Sequence, residues 1–114
     1  MELPVIISDF FRIKNEGKDV ELCSLFSDDA AVIDYGENIE MEGTEEIKKW
    51  IEKCISGLKL QSEIQDYGEQ NGEWIINTIM SGDFKGSPAL FKYYITIAQG
   101  KIYRLNVQFL GSVK

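Results

Sequence analysis

The sequence predicts an α+β domain: a long antiparallel sheet in the C-terminal half, covered on one face by helices from the N-terminal half. Three observations carry this. The stretch from Gly72 to Leu110 reads as three strands rich in β-branched and aromatic residues, which suit a pleated, half-buried surface. Its last strand alternates, with Tyr103, Leu105, Val107 and Phe109 against Arg104, Asn106 and Gln108, so one face is apolar and the other polar. Upstream, apolar residues recur at the three-and-four spacing of amphipathic helices, which supplies the cover that such a sheet requires.

Helix one is expected from Pro4 to about Asn15. Pro4 suits a first helical position, and Leu3, Ile6, Phe10 and Ile13, widened by Ile7 and Phe11, form its buried face. Gly17 is a left-handed stop. Asp19 is expected to cap a second helix over Val20–Phe26, which Ser27-Asp28-Asp29 breaks. Ala30–Tyr35 reads as a short strand, Gly36-Glu37-Asn38 as a turn, and Ile39–Glu42 as a strand pairing back. Thr44 is expected to cap a third helix, with Glu45 and Glu46 at the positive end of its dipole. Ile47, Trp50, Ile51, Cys54 and Ile55 make its apolar stripe, and Gly57 ends it. Leu58–Tyr67 alternates and reads as the first long strand. Asn71-Gly72 is a hairpin signal; Gly86-Ser87-Pro88 and Gln99-Gly100 mark the remaining reversals. No linker, repeat or low-complexity segment interrupts residues 1–114, so one domain is expected.

The net charge of −7, without a basic run, argues against nucleic acid and anionic membrane surfaces as partners. No apolar run approaches a membrane span. Met1-Glu2-Leu3-Pro4 carries an acid where a secretory signal carries basic residues, so the expectation is a soluble cytoplasmic protein. Cys23 and Cys54 read as reduced, buried thiols. With no histidine in the chain, zinc sites of the usual kind and histidine-based triads are excluded, and no cofactor or metal is expected. Asp28-Asp29 reads as a solvated helix end rather than a metal pair.

The joints between elements carry a resemblance. Asn15-Glu16-Gly17-Lys18-Asp19, Leu25-Phe26-Ser27-Asp28-Asp29-Ala30-Ala31-Val32-Ile33-Asp34, Gly43-Thr44-Glu45-Glu46-Ile47 and Gly100-Lys101-Ile102 stand in the order found in the nuclear transport factor 2-like (NTF2-like) superfamily. The chain resembles this superfamily, which includes SnoaL-like polyketide cyclases and ketosteroid isomerases, over essentially its whole length. The resemblance implies a cone-shaped curved sheet wrapped around helix one, an apolar pocket open at one end, and a homodimer through the convex face, where Arg104, Asn106 and Gln108 are expected to project. The superfamily hosts isomerases, cyclases, dehydratases, hydrolases and binding proteins, so the fold alone does not settle function.

Asp34 falls where ketosteroid isomerases carry their general-base aspartate. The residues argue the same way: Asp34 closes the apolar run Ala30–Ile33, and a carboxylate losing hydration there becomes a better base. The alternative is a strand-end aspartate bonded to nearby backbone N–H groups. The isomerase's helix-one tyrosine aligns with Phe10 and its protonated aspartate near Tyr93, so that enzyme's oxyanion hole is not reproduced. Tyr93 is either a single donor to a ligand carbonyl or a strand tyrosine packed in the sheet. Phe10, Trp50, Asn77, Leu105 and Val107 are the expected pocket lining, with Trp50 equally readable as the core anchor of its helix. The segment from Gly82 to Pro88 is either a loop at the pocket mouth or a bulged hairpin. Two classes of function follow. One is an enzyme that moves a proton on a small apolar organic ligand, with Asp34 as base and Tyr93 as its polar partner. The other is a non-catalytic protein, either a ligand-binding module or a dimeric interaction protein.

Overall fold

Helix α1, Val5–Glu16, buries Ile7, Phe10, Phe11, Ile13 and Lys14 along one side. Pro4 sits one position before the expected start, as the flanking residue, and its carbonyl accepts the Ile7 and Ser8 N–H groups. Gly17 is left-handed (φ 71°), and the N–H groups of Gly17 and Lys18 close on Lys14 and Ile13, the hydrogen-bond pattern of a helix that ends at glycine. This is a computed structural model, and it describes residues 2–35 and 38–113. The expected turn at Gly36-Glu37 lies outside the described residues.

Helix α2, Asp19–Cys23, is shorter than predicted. Asp19 is its first residue rather than its cap, and its carboxylate instead accepts from the Ser56 hydroxyl. Phe26 is not helical: strand β1 runs Phe26–Asp34 and includes Ser27-Asp28-Asp29. The cause is long-range pairing. Phe26 lies opposite Ile102 of strand β6 (Lys101–Ser112), and the Ile102 N–H donates to the Leu25 carbonyl at 2.8 Å. The register then shifts across residues 27–30 before Ala31 meets Arg104.

Strand β2, Ile39–Glu42, pairs with β1, and α3, Gly43–Trp50, follows at once. Thr44 lies inside α3 rather than at its cap. The Glu46 carboxylate accepts the Glu42 backbone N–H at 2.7 Å and does the capping. The helix does not continue as α. Residues Ile51–Ser56 form a π-helical turn, an insertion that often accompanies functional sites. Gly57 ends it through close packing, because a Cβ there would run into the Lys53 carbonyl oxygen.

Three further strands complete the sheet: β3 (Gln61–Gln70), β4 (Glu73–Ser81) and β5 (Ala89–Ala98). The six strands form one curved, mixed and open sheet in the order β2-β1-β6-β5-β4-β3. The pairs β3–β4, β4–β5 and β5–β6 are antiparallel, as alternation and turns predict, but β1 runs parallel to β6. The Asn71-Gly72 hairpin has both residues at positive φ (54° and 81°), the backbone that this dipeptide favours. A register shift between Thr96 and Ile97 of β5 takes Tyr103 out of the predicted inward row and puts Ile102 into it; Tyr103 instead lies under the Arg104 guanidinium, 4.9 Å from its ring centre.

The concave face carries Val32, Ile76, Thr78, Met80, Tyr93, Ile95, Leu105 and Val107, all buried, and all but Thr78 pack with the helices into a single apolar cluster. Phe10 is fully buried among Phe11, Phe26 and Tyr93, with ring centres 5.0, 6.2 and 6.1 Å away. No helix among the described residues is long and apolar enough to cross a membrane. Gly57→Ala is expected to cost about 2 kcal/mol or more, since its Cβ has no space. Urea unfolding followed by circular dichroism measures this, and an unchanged midpoint would contradict the close packing.

Candidate functional site

The open end of the cone holds a cavity of about 280 Å³, at the small end of ligand-binding volumes. Its wall is mostly apolar: Ile55, Leu60, Met80, Phe91, Val107 and Phe109 contribute. Phe84, Phe91 and Phe109 stack edge to face along one side, with centres 5.9 and 5.4 Å apart. Phe84 and Lys85 bring the 82–88 connection to the cavity, so this segment borders the pocket as well as turning the chain.

Besides the exposed Lys85, a buried carboxylate, a buried hydroxyl and a buried amine interrupt the apolar wall. The first is Asp34. Alternation along β1 buries Ala30, Val32 and Asp34 in turn, so the carboxylate points toward the helices. The Trp50 indole N–H donates to its Oδ2 at 2.9 Å. Trp50 is the last residue of α3, is itself buried and borders the cavity.

The second is Tyr93, buried on β5, with its hydroxyl 3.5 Å from the Met80 sulfur. Burial pushes its proton affinity well above the usual tyrosine range. A hydrogen bond with Ser62 pulls the other way, and the Asp34 charge adds to the rise. Tyr93 is therefore a persistent O–H donor.

The third is Lys14, which the sequence reading did not single out. It is 2% exposed, and its Nζ donates to Ser62 Oγ at 2.6 Å and to Met80 Sδ at 3.4 Å. Among the described residues no carboxylate lies within ion-pairing distance of it. Burial lowers its pKa from the usual 10.5 to about 7. One signal was available: Ile7, Phe10, Phe11 and Lys14 follow the helix's own three-and-four spacing, which puts Lys14 on the buried face.

Ser62 is held in place by the helix. Asn15 Nδ2 donates to the Ser62 carbonyl and its Oδ1 accepts the Ser62 N–H, both at 2.8 Å. Of the residues expected to form the site, Asp34, Tyr93, Trp50 and Val107 meet at the cavity. Phe10 and Leu105 do not line it. Both are fully buried in the packed core beneath, where facing side chains leave no space. Asn77 is corrected outright. It lies opposite Lys92 on the convex face, and its Nδ2 donates to Asp66 Oδ1 at 2.6 Å, because the inward positions of β4 are Ile76, Thr78 and Met80.

Among the described residues no three Cys, Asp or Glu side chains gather into a metal-binding group. Cys23 and Cys54 form no disulfide. Cys23 is only half-buried, and partial burial together with the Asp19 and Glu52 carboxylates pushes its thiol up.

Solved structures share this fold. A candidate polyketide cyclase from Sinorhizobium meliloti superposes with a TM-score of 0.86 at 27% identity, over 93% of this chain and 95% of that one. An NTF2-like protein from Cytophaga hutchinsonii gives 0.77 at 12% identity, over 96% and 93%. The chain has the fold of NTF2-like proteins. A protein of ketosteroid isomerase-like fold from Catenulispora acidiphila, solved with trimethylamine, matches this chain at 0.81 and 17% identity, over 94% and 86%. No family model and no curated protein sequence matches it.

Lys14 gives stability a pH signature. Between about pH 7 and 10.5 the unfolded chain holds a proton on this amine that the folded chain has shed, so folding grows more favourable as pH rises through that window. Lys14→Met removes the group and keeps much of its volume. Relative to this variant, the wild type is expected to gain about 2–3 kcal/mol between roughly pH 6 and pH 9, by urea unfolding at each pH. Parallel pH profiles for the two proteins would contradict the buried, shifted amine.

Proposed function

We propose that the cavity takes a small, mostly apolar carbonyl compound and moves a proton on it, with Asp34 as base and Tyr93 as donor to the carbonyl oxygen. The observation that supports this reading is the pairing of opposite roles across one apolar cavity. Asp34 presents a buried carboxylate already held by Trp50, and Tyr93 presents a hydroxyl that stays protonated. Removing a proton beside a carbonyl leaves negative charge on the oxygen, and a fixed donor in a water-poor site stabilises that charge far more than water does. The likeness to a candidate polyketide cyclase and to a ketosteroid isomerase-like protein agrees with chemistry of this kind.

The test needs no knowledge of the natural substrate. Cyclohexanone in D₂O reports proton abstraction through loss of its α-hydrogen NMR signal. The wild type is expected to accelerate this exchange over buffer. Asp34→Asn can still accept the Trp50 N–H, and is expected to slow the catalysed exchange by roughly a hundredfold to ten-thousandfold while ligand binding persists. Exchange by the wild type at the buffer rate over a panel of small ketones, or equal rates for the two proteins, would overturn the proton-transfer reading. The binding-module reading would remain in the first case if a ketone still shifts the Trp50 indole resonance.

The convex face supports a homodimer in the same proposal. Arg104, Asn106 and Gln108 of β6 lie opposite Thr96, Tyr94 and Lys92 of β5, a mixed polar and aromatic surface that suits a wet interface of moderate size. Light scattering at micromolar concentration is expected to give twice the chain mass; a monomer would count against it.

A further inference from the structure

A lysine inside an apolar cone calls for its own explanation. An ammonium has three N–H bonds and strong hydration, and removing it from water without a counter-charge is costly. Among the described residues Lys14 Nζ meets one hydroxyl and one thioether, and the thioether is a weak acceptor. This environment suits a neutral amine. The nitrogen then carries a lone pair and borders a cavity of about 280 Å³. The titratable groups sharing that cavity are Asp34 from β1, Cys54 from the π-helical turn, Lys85 from the 82–88 connection and Tyr93 from β5.

We propose that Lys14 is a nucleophile that condenses with the carbonyl group of a small apolar aldehyde or ketone in this cavity to form an imine. The inference rests on the reading that the cavity admits such a compound, and it assigns Lys14 a covalent role which that reading lacks. The atoms balance without any oxidant or reductant. The Nζ lone pair attacks the carbonyl carbon, and the C=O π electrons move to oxygen. The nitrogen sheds one proton to Asp34 by way of a solvent water, since no carboxylate among the described residues lies within ion-pairing distance of Lys14, and Asp34 returns that proton to the oxygen to give a hydroxyl group. The second nitrogen proton follows the same route to the hydroxyl as the C–O bond breaks, water leaves with both protons, and C=N forms. Tyr93 serves as a hydrogen-bond donor to the oxygen while it carries charge. Burial that brings the amine to a pKa of about 7 leaves a large share of it neutral at neutral pH, when exposed lysines are almost wholly protonated.

Benzaldehyde is the appropriate reagent, because it has no α-hydrogen and its capture does not depend on proton abstraction. The full-length protein is treated near neutral pH with benzaldehyde and sodium cyanoborohydride, which reduces an imine to a stable amine. Intact mass and peptide mapping then locate the adduct. The expected result is a single benzyl group on Lys14, added roughly a hundredfold faster than to any surface lysine, with a rate that rises through about pH 7 rather than about pH 10. Lys14→Arg keeps a cationic side chain and is expected to lose the adduct. Benzyl alcohol has nearly the same shape and no carbonyl, and its effect on the Trp50 indole N–H resonance reports entry into the cavity. If benzyl alcohol enters and benzaldehyde labels only surface lysines, the nucleophile is overturned and the cavity reading stands. If neither compound engages the cavity, both fall.

Discussion

The polar cluster inside this cone depends on the grip of Asn15 on Ser62. Strand β3 is an edge of the sheet, so its outer N–H and C=O groups need partners. Asn15 supplies one of each from a single amide, in the pattern that a neighbouring strand would use. Gln61 answers from the strand, its Nε2 donating to the Asn15 carbonyl at 2.7 Å. Three such bonds are worth about 1 kcal/mol each, which is modest. Their larger effect is positional. They tie the last turn of α1 to the start of β3, and Lys14, one residue before Asn15, cannot swing out to solvent. The same contact sets Ser62 beside both Lys14 and Tyr93.

The polar groups sit on different supports. Asp34 belongs to a strand and is held by a tryptophan at the end of a helix; Lys14 belongs to a helix and is held by a serine at the start of a strand. Each is thus positioned by the packing of helix on sheet rather than by a loop. Rigid elements hold reactive groups closer to a required geometry than loops do. The Met80 sulfur, shared by Lys14 and Tyr93, is a soft neighbour that tolerates either protonation state of the amine.

Much of this was legible in the chain. The period of two in β6, the β-branched and aromatic residues of β4 and β5 and the helical stripe of α1 pointed to the layers, and the apolar run Ala30–Ile33 pointed to Asp34. What escaped detection had physical reasons. The parallel pairing of β1 with β6 joins residues far apart in sequence, and no local pattern announces it. Tyr103 was displaced by a register shift that strict alternation does not foresee. Asn77 was assigned to the pocket although it is flanked by Ile76 and Thr78, which take the inward positions. Lys14 was overlooked because lysine is normally solvated, and the spacing from Ile7 was not followed to its next member. Phe10 and Leu105 were right as core residues and wrong as lining, since burial alone does not distinguish a packed interior from a cavity wall.

The parallel β1–β6 pairing also sets an order of assembly. Strand β6 lies between β1 and β5, so β1 and β2 join β3 to β5 in one sheet only through β6. Before β6 pairs, helix contacts such as Asn15 on Ser62 and Phe10 on Tyr93 are what link the two sets of strands. The wall holding Asp34 and the wall holding Tyr93 are separate pieces of sheet until that strand pairs. Contacts of such long sequence separation form late and slowly. Until β6 pairs, β5 is therefore an open sheet edge, and the two walls of the cavity are not joined by strand pairing.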